Sequence, residues 1–122
     1  LGCITGRFGR MSTNSSPYRL VYCTCGSADN ARLIAESLVA ERLVACANIL
    51  PGIQSVFCWQ GKIESEQEIL LMMKTREECL GRLQERIRAL HTYELPEIVA
   101  VPIVAGLEPY LNWITESVLH ND

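Results

Sequence analysis

The most reactive side chains of this sequence fall into two windows, Cys23-Thr24-Cys25 and residues 91–98. On a β-strand, alternate residues face the same side about 6.5–7 Å apart, so the two thiols could meet one soft ion if the strand end bends. Thiolates favour Cu(I) or Zn(II), and cysteine–histidine sets suit copper or zinc. Free cysteines are also common as plain core residues, so this second interpretation of Cys23 and Cys25 stays open.

The second window holds a histidine, a tyrosine and two glutamates, with Pro96 preventing a helix from continuing through it. It joins an amphipathic helix to the last apolar strand, and a link between two rigid elements can hold a binding site. The simpler alternative is a polar connector in which His91 only partners the dipole of the preceding helix.

A third group, Glu64, Glu66 and Glu68, occupies alternate positions of one predicted strand and is typical of a solvated sheet face. Motifs for catalysis are missing: the chain has no Gly-rich phosphate loop, no Gly-x-Ser-x-Gly and only two histidines. We therefore predict a protein that is not an enzyme.

Length and composition indicate one globular domain, with 122 residues, 48% hydrophobic and 20% charged residues. We interpret residues 1–10 as a non-native leader before the natural start at Met11, and residues 1–17 as a disordered N-terminus. Removing Arg7 and Arg10 with the leader changes the formal charge from -3 to -5. An acidic chain argues against nucleic-acid binding.

The six cysteines form no Cys-x-x-Cys pair, which argues against a structural zinc site. No apolar run reaches the roughly 18 residues of a membrane span, and no signal-like segment precedes the domain. We expect a cytoplasmic protein that does not bind membranes and whose cysteines are free thiols.

Hydrophobic patterning predicts the element order β-α-β-β-α-β plus a C-terminal helix, in a single domain over residues 18–119. The second strand is predicted to stop at Pro51-Gly52, and a long hairpin turns at Gln60-Gly61-Lys62. Thr75 and Glu78 have the spacing of a capping box for the second helix. The order predicts an α+β fold of the ferredoxin-like split β-α-β type, an antiparallel sheet with helices on one face.

In this order the first and last strands are antiparallel neighbours, so we expect Cys23 and His91 to meet at the sheet edge. Two such ligands suffice for weak copper binding helped by Glu94 or a neighbouring subunit. Pro102 places the last strand, residues 98–105, at an edge, and Trp59 projects near the hairpin tip. These exposed apolar features predict self-association, with an interface formed by Trp59, Ile98, Val99, Val101 and Ile103.

Several motifs in order resemble the divalent-cation tolerance protein CutA family, over roughly residues 18–119. They are LVACANILPGI (43–53), SVFCWQGKI (55–63), Lys74-Thr75, HTYELPEI (91–98) and YLNWI (110–114). The resemblance implies a ferredoxin-like fold, a tight trimer shaped like the PII signalling proteins, and an association with copper and other divalent metals. Cys23 falls where bacterial members carry a cysteine proposed to bind copper, and the family associates the histidine at position 91 with metal.

One residue departs from the pattern: the family usually has proline after the histidine, and Thr92 stands there, which makes the link less rigid. The resemblance implies a role in metal homeostasis with Cys23, His91 and Glu94 as a weak copper site. The alternative is a PII-like sensor of a small molecule or partner protein, in which metal binding is incidental. In that case a small anion would contact arginines of the second helix, with Arg76, Arg82, Arg86 and Arg88 as candidates. The simpler alternative is that these arginines form the solvated face of that helix.

Overall fold

The computed structural model describes residues 16–120. The expected leader lies outside the described residues, as does the rest of the N-terminal segment up to residue 15. The two described residues of that segment are hydrogen-bonded to the domain: the Ser16 hydroxyl donates to the Ile103 carbonyl (2.6 Å) and the Pro17 carbonyl accepts from the Glu77 amide (2.7 Å).

Residues 16–120 form four strands and three α-helices in the predicted order. The strands are β1 (Tyr18–Cys25), β2 (Cys46–Trp59), β3 (Lys62–Arg76) and β4 (Ile98–Pro102), and the helices are α1 (Ala28–Ala40), α2 (Leu80–Leu90) and α3 (Glu108–Ser117). All pairings are antiparallel and the sheet order is β2-β3-β1-β4. The ferredoxin-like split β-α-β prediction is confirmed, with β4 at an edge of the sheet.

The main core lies between one face of the sheet and helices α1 and α2. Strict alternation along β1 turns Val21 and Cys23 into this core, opposite Met73 and Leu71 of β3. Ile34 and Leu38 of α1, with Leu83 and Ile87 of α2, cover that face and are fully or almost fully buried. Ser27 is the N-cap of helix α1, and its hydroxyl accepts a hydrogen bond from the Asn30 backbone amide.

The opposite face of the sheet is apolar and partly open. Val99 and Val101 pair with Tyr22 and Leu20 of β1, and their side chains are 48% and 42% exposed. Helix α3 packs at the end of the sheet, where the Tyr18 hydroxyl meets the Thr115 hydroxyl at 2.8 Å. None of the helices among residues 16–120 is long and apolar enough to cross a membrane.

The predicted stop at Pro51-Gly52 is wrong, because β2 continues through both residues to Trp59. Leu50 pairs with Leu70 and Ile53 with Glu68, so β2 carries one extra residue there and forms a bulge. Gly52 has φ +80°, which glycine adopts without strain, and the missing amide of Pro51 is tolerated at a bulge in an edge strand. The hairpin turn is confirmed: Gln60 and Gly61 have φ of 53° and 81°, as a type I′ turn requires.

The predicted capping box is also wrong. Thr75 lies in β3, is fully buried, and donates its hydroxyl to the Leu43 carbonyl at 2.7 Å. The second helix starts instead through a 3-10 turn at Glu77–Cys79, without a side-chain cap. Strand β4 ends at Pro102, three residues before the predicted end.

Candidate metal centre and the adjoining acidic cleft

Cys23 and Cys25 lie at the end of β1 on the face covered by the helices. Cys23 is held in register by Leu71 of β3 on one side and Ile98 of β4 on the other. Both cysteines are fully buried, since their alternation with Thr24 turns both side chains toward the core. The two thiols are therefore positioned by a strand that has a neighbour on each side in the sheet.

His91 ends helix α2, with its backbone amide donating to the Ile87 carbonyl. Its Nε2 lies 2.8 Å from the Thr24 carbonyl oxygen, and its Nδ1 lies 3.0 Å from the Tyr93 backbone nitrogen. Because a carbonyl only accepts and an amide only donates, Nε2 carries the proton and Nδ1 accepts from Tyr93. The imidazole thus ties the link between α2 and β4 to the end of β1.

The Sγ atoms of Cys23 and Cys25 and a ring nitrogen of His91 all lie within 4.8 Å of one another. Within residues 16–120 these three form the sole group of three or more histidine, cysteine or acidic side chains with such spacing. Two sulfurs and one imidazole nitrogen are a soft donor set, which fits copper or zinc better than magnesium or calcium. A small closing movement would bring the three atoms to coordination distance.

The pKa values of the two thiols are shifted in opposite directions. The hydrogen bond from Cys23 lowers the pKa of the Cys25 thiol below its usual value, although burial opposes this shift. The same bond to Cys25 raises the pKa of the Cys23 thiol, and burial raises it further. Cys25 is therefore the first of the pair to become a thiolate, while Cys23 keeps its proton. The Cys23 thiol also lies 3.8 Å from the Thr24 carbonyl oxygen, to which it can donate.

The structure brings Cys23 and His91 together, but it does not add Glu94 to them. Glu94 is exposed and lines an open cleft on the other side of the link. The third member of the cluster is Cys25, which the resemblance did not single out. Strand periodicity was the signal for it, because residues 23 and 25 share a face of β1.

The open cleft has a volume of about 700 Å³ and lies beside the cluster. Thr24 and Tyr93 line it and also contact His91, so the cleft and the cluster share a wall. The remaining lining includes an aromatic pair and the glutamates of β3 and of the link: Phe57, Trp59, Glu64, Glu66, Glu68, Glu94 and Glu97. Glu64 and Glu66 are exposed, as a solvated face predicts, whereas Glu68 is only 8% exposed.

Tyr93 fixes the shape of this shared wall. Its hydroxyl donates to Glu68 at 2.7 Å, and its ring lies against the backbone of Gly26, where an added Cβ would approach the hydroxyl to 3.0 Å. Burial raises the pKa of Tyr93, and the bond to Glu68 raises it further, so the hydroxyl stays protonated and donates. The missing side chain at Gly26 is what allows this close approach.

The residues predicted to form a subunit interface are exposed or half-buried, and Ile98 packs against the main core of its own chain. Trp59 is 55% exposed near the hairpin tip, Val99 and Val101 lie on the open face of β4, and Ile98 and Ile103 are half-buried. The structure contains one chain, so the predicted homotrimer stays a prediction.

Comparison with known proteins gives one consistent family. The profile described as CutA1 divalent ion tolerance protein matches residues 19–117. A Thermus thermophilus relative named divalent-cation tolerance protein CutA is 48% identical over 98 residues, covering 80% of this chain and 95% of the relative. An Arabidopsis thaliana relative named protein CutA, chloroplastic, is 42% identical over 106 residues, covering 87% of this chain and 58% of the relative.

Solved structures agree with the sequence relatives. The divalent cation tolerance protein from Thermus thermophilus superimposes with a TM-score of 0.82 at 46% identity, covering 83% of this chain and 98% of that chain. CutA1 from Oryza sativa gives a TM-score of 0.84 at 40% identity, covering 87% and 97%.

Proposed function

The chain belongs to the CutA1 divalent ion tolerance family, and from this premise we propose that it is a homotrimer that binds copper weakly in metal homeostasis. The observation that carries the proposal is the Cys23–Cys25–His91 cluster, with its ligand atoms within 4.8 Å of one another. Thiolate and imidazole donors favour Cu(I), and Zn(II) is the divalent ion that best fits the same set.

The cluster has the features of an exchangeable site. It offers three protein ligands, whereas closed structural zinc sites use four. Both ring nitrogens of His91 already make hydrogen bonds, so an ion has to displace one of them. Glu94 belongs to the cleft side of the link, and a fourth ligand would come from solvent or from a neighbouring subunit.

The test is competition titration of Cu(I), under anaerobic reducing conditions, between the protein and a chromogenic chelator. We expect Cys23→Ser, Cys25→Ser and His91→Ala each to weaken binding at least tenfold, about 1.4 kcal/mol. The matched control is Cys58→Ser, because Cys58 is an exposed thiol on the hairpin. Wild-type affinity in all three cluster variants, each folded by circular dichroism, would refute the site.

The proposed trimer is supported by exposed apolar surface at both sheet edges. The open face of β4 presents Val99 and Val101, and the hairpin presents Trp59. Association would bury this surface and add to a core of modest size. Light scattering should give three times the 13.7 kDa of one chain, and Trp59→Ala should loosen the assembly. A monomer at micromolar concentration would contradict the proposal.

The second candidate function is a PII-like sensor of a small molecule or partner protein. A sensor whose arginines bind a small anion has little support, because Arg76 pairs with Glu78 and Arg86 pairs with Glu41, each at 2.9 Å. Among the described residues, the large cleft is lined by glutamates rather than arginines.

A non-enzymatic role and a cytoplasmic location remain part of the proposal, and fractionation of cells with an antibody to the protein would test the location.

A further inference from the structure

The peptide unit that joins Leu90 to His91 is held by a hydrogen bond on each side. Its N–H donates to the Ile87 carbonyl at 2.8 Å and closes the last turn of α2. Its carbonyl oxygen accepts from the side-chain amide nitrogen of Asn30, the third residue of α1, at 3.0 Å. Because a peptide unit is planar and includes the Cα of His91, the two bonds together restrict the direction in which the imidazole leaves the backbone.

The bond from Asn30 satisfies a group that α2 cannot satisfy by itself. The last carbonyl groups of a helix have no partner within it and need a donor from elsewhere. Leu90 is the last residue of α2, and Asn30 supplies the donor from a side chain that is only 7% exposed. The orientation of the Asn30 amide follows, since a carbonyl oxygen only accepts and Nδ2 only donates.

The other half of the Asn30 amide has no hydrogen-bond partner. Among the described residues, Oδ1 is the sole buried side-chain nitrogen or oxygen without one. An unsatisfied buried acceptor destabilises a fold, and an apolar side chain of the same size would avoid that loss. Packing alone therefore gives little reason for an asparagine at this position, whereas control of the Leu90 carbonyl gives a direct one.

Asn30 belongs to the same short segment as the two thiols, residues 23–30. Ser27, the N-cap of α1, accepts from the Asn30 backbone amide at 3.1 Å, so the first turn of α1 is fixed relative to the end of β1. The Thr24 carbonyl in this segment accepts from His91 Nε2 at 2.8 Å. The segment thus carries both cysteines of the cluster and also holds the histidine twice, at its ring and at the peptide that precedes it.

We propose that Asn30 is a positioning residue of the candidate metal centre, which holds the His91 imidazole beside the two thiols through the Leu90 carbonyl. This inference rests on the proposed metal-binding function. Asn30 does not bind the ion itself. Without its bond the last turn of α2 loosens, the ring has to be ordered when the ion binds, and affinity for the ion falls.

The first measurement uses metal-free protein and does not depend on copper. The chain has two histidines, so a His120→Gln parent labelled with 15N-histidine reports on His91 alone. We expect its NMR spectrum to show one tautomer, protonated at Nε2 and accepting a hydrogen bond at Nδ1. In this parent, Asn30→Leu should give a mixture of both tautomers. Asn30→Ala should do the same and serves as the second variant if the larger side chain prevents folding.

The second measurement is chelator competition for Cu(I) with the same proteins. Both Asn30 variants should bind Cu(I) about fivefold or more weakly than the parent. The matched control is Arg86→Gln, because Arg86 also connects α2 to the end of α1, through a 2.9 Å ion pair with Glu41. Since a partly exposed ion pair contributes little, the control should keep the ring signal of the parent and its Cu(I) affinity within about twofold.

The two measurements separate this proposal from the proposed function. The role of Asn30 is overturned if the parent already shows a tautomer mixture, if the Asn30 variants keep its single ring signal, or if Arg86→Gln disturbs that signal equally. It is also overturned if the parent binds Cu(I) and the Asn30 variants bind it as tightly. A parent that binds no Cu(I) refutes the metal-binding function instead, and the ring signal then decides alone whether Asn30 positions His91.

Discussion

The contact between Gly26 and Tyr93 predicts that two substitutions, Gly26→Ala and Tyr93→Phe, are strongly coupled. An alanine Cβ at position 26 would lie 3.0 Å from the Tyr93 hydroxyl and 3.2 Å from its Cε1. The backbone of Gly26 is outside the left-handed region, so alanine brings no backbone strain there. The ring must therefore move by a few tenths of an ångström, which disturbs its 2.7 Å bond to Glu68.

The magnitudes follow from that bond. Tyr93→Phe removes a hydrogen bond to a carboxylate and should cost about 1.5–3 kcal/mol of unfolding free energy. Gly26→Ala weakens the same hydrogen bond. Alanine also reduces the conformational entropy of the unfolded chain, which stabilises the fold by about 0.4–1 kcal/mol, so the net loss of unfolding free energy should be about 1 kcal/mol. In the double variant the closest clashing atom is absent, and the total cost should equal that of Tyr93→Phe within about 0.5 kcal/mol.

The assay is urea unfolding followed by circular dichroism for all four proteins at one fixed concentration, since association would make stability concentration-dependent. The expected result is a double-variant cost about 1 kcal/mol below the sum of the single costs. Costs that add within 0.3 kcal/mol, the usual scatter for independent sites, would refute the view that Gly26 acts through the Tyr93 hydroxyl.

Two further predictions concern the core and the cluster. Thr75→Val should destabilise the fold by about 1–3 kcal/mol, because it leaves the buried Leu43 carbonyl without its 2.7 Å hydrogen-bond donor. Urea unfolding should show a much smaller loss of stability for the exposed control Thr92→Val. Equal losses for the two variants would contradict the reasoning. The affinity for Cu(I) should fall as the pH is lowered, because ion binding must displace the Cys23 proton and needs the Cys25 thiolate, whose pKa is lowered by Cys23. The measurement is chelator competition between pH 6 and 8, and an affinity that does not vary with pH would rule out both thiols as ligands.

Local patterning was sufficient to predict the order of the elements. Hydrophobic patterning placed β1 and α1 correctly, because each of these elements buries one face only. Pro51-Gly52 was misread as a strand end, since the same dipeptide fits a stop and a bulge, and only the pairing with β3 distinguishes the two. Thr75 was misread as a cap because its partner, the Leu43 carbonyl, lies 32 residues away.

The site was predictable only in part for the same reason. Antiparallel neighbours brought Cys23 and His91 together as expected from topology alone. The side of the link on which Glu94 lies, and the bond from Tyr93 to Glu68, depend on the path of the seven residues 91–97 between α2 and β4. No local pattern encodes that path.

The two hydrogen bonds of the His91 imidazole have a consequence for any ion that uses this ring. Both ring nitrogens already make hydrogen bonds within the fold, so an ion that takes either nitrogen must replace one of these bonds. Giving up either bond costs about 0.5–1.5 kcal/mol, which raises the dissociation constant roughly two- to tenfold. Such a centre would bind an ion only when the free ion is abundant and would release it when the free ion is scarce. It would therefore buffer the free-ion concentration rather than hold the ion permanently.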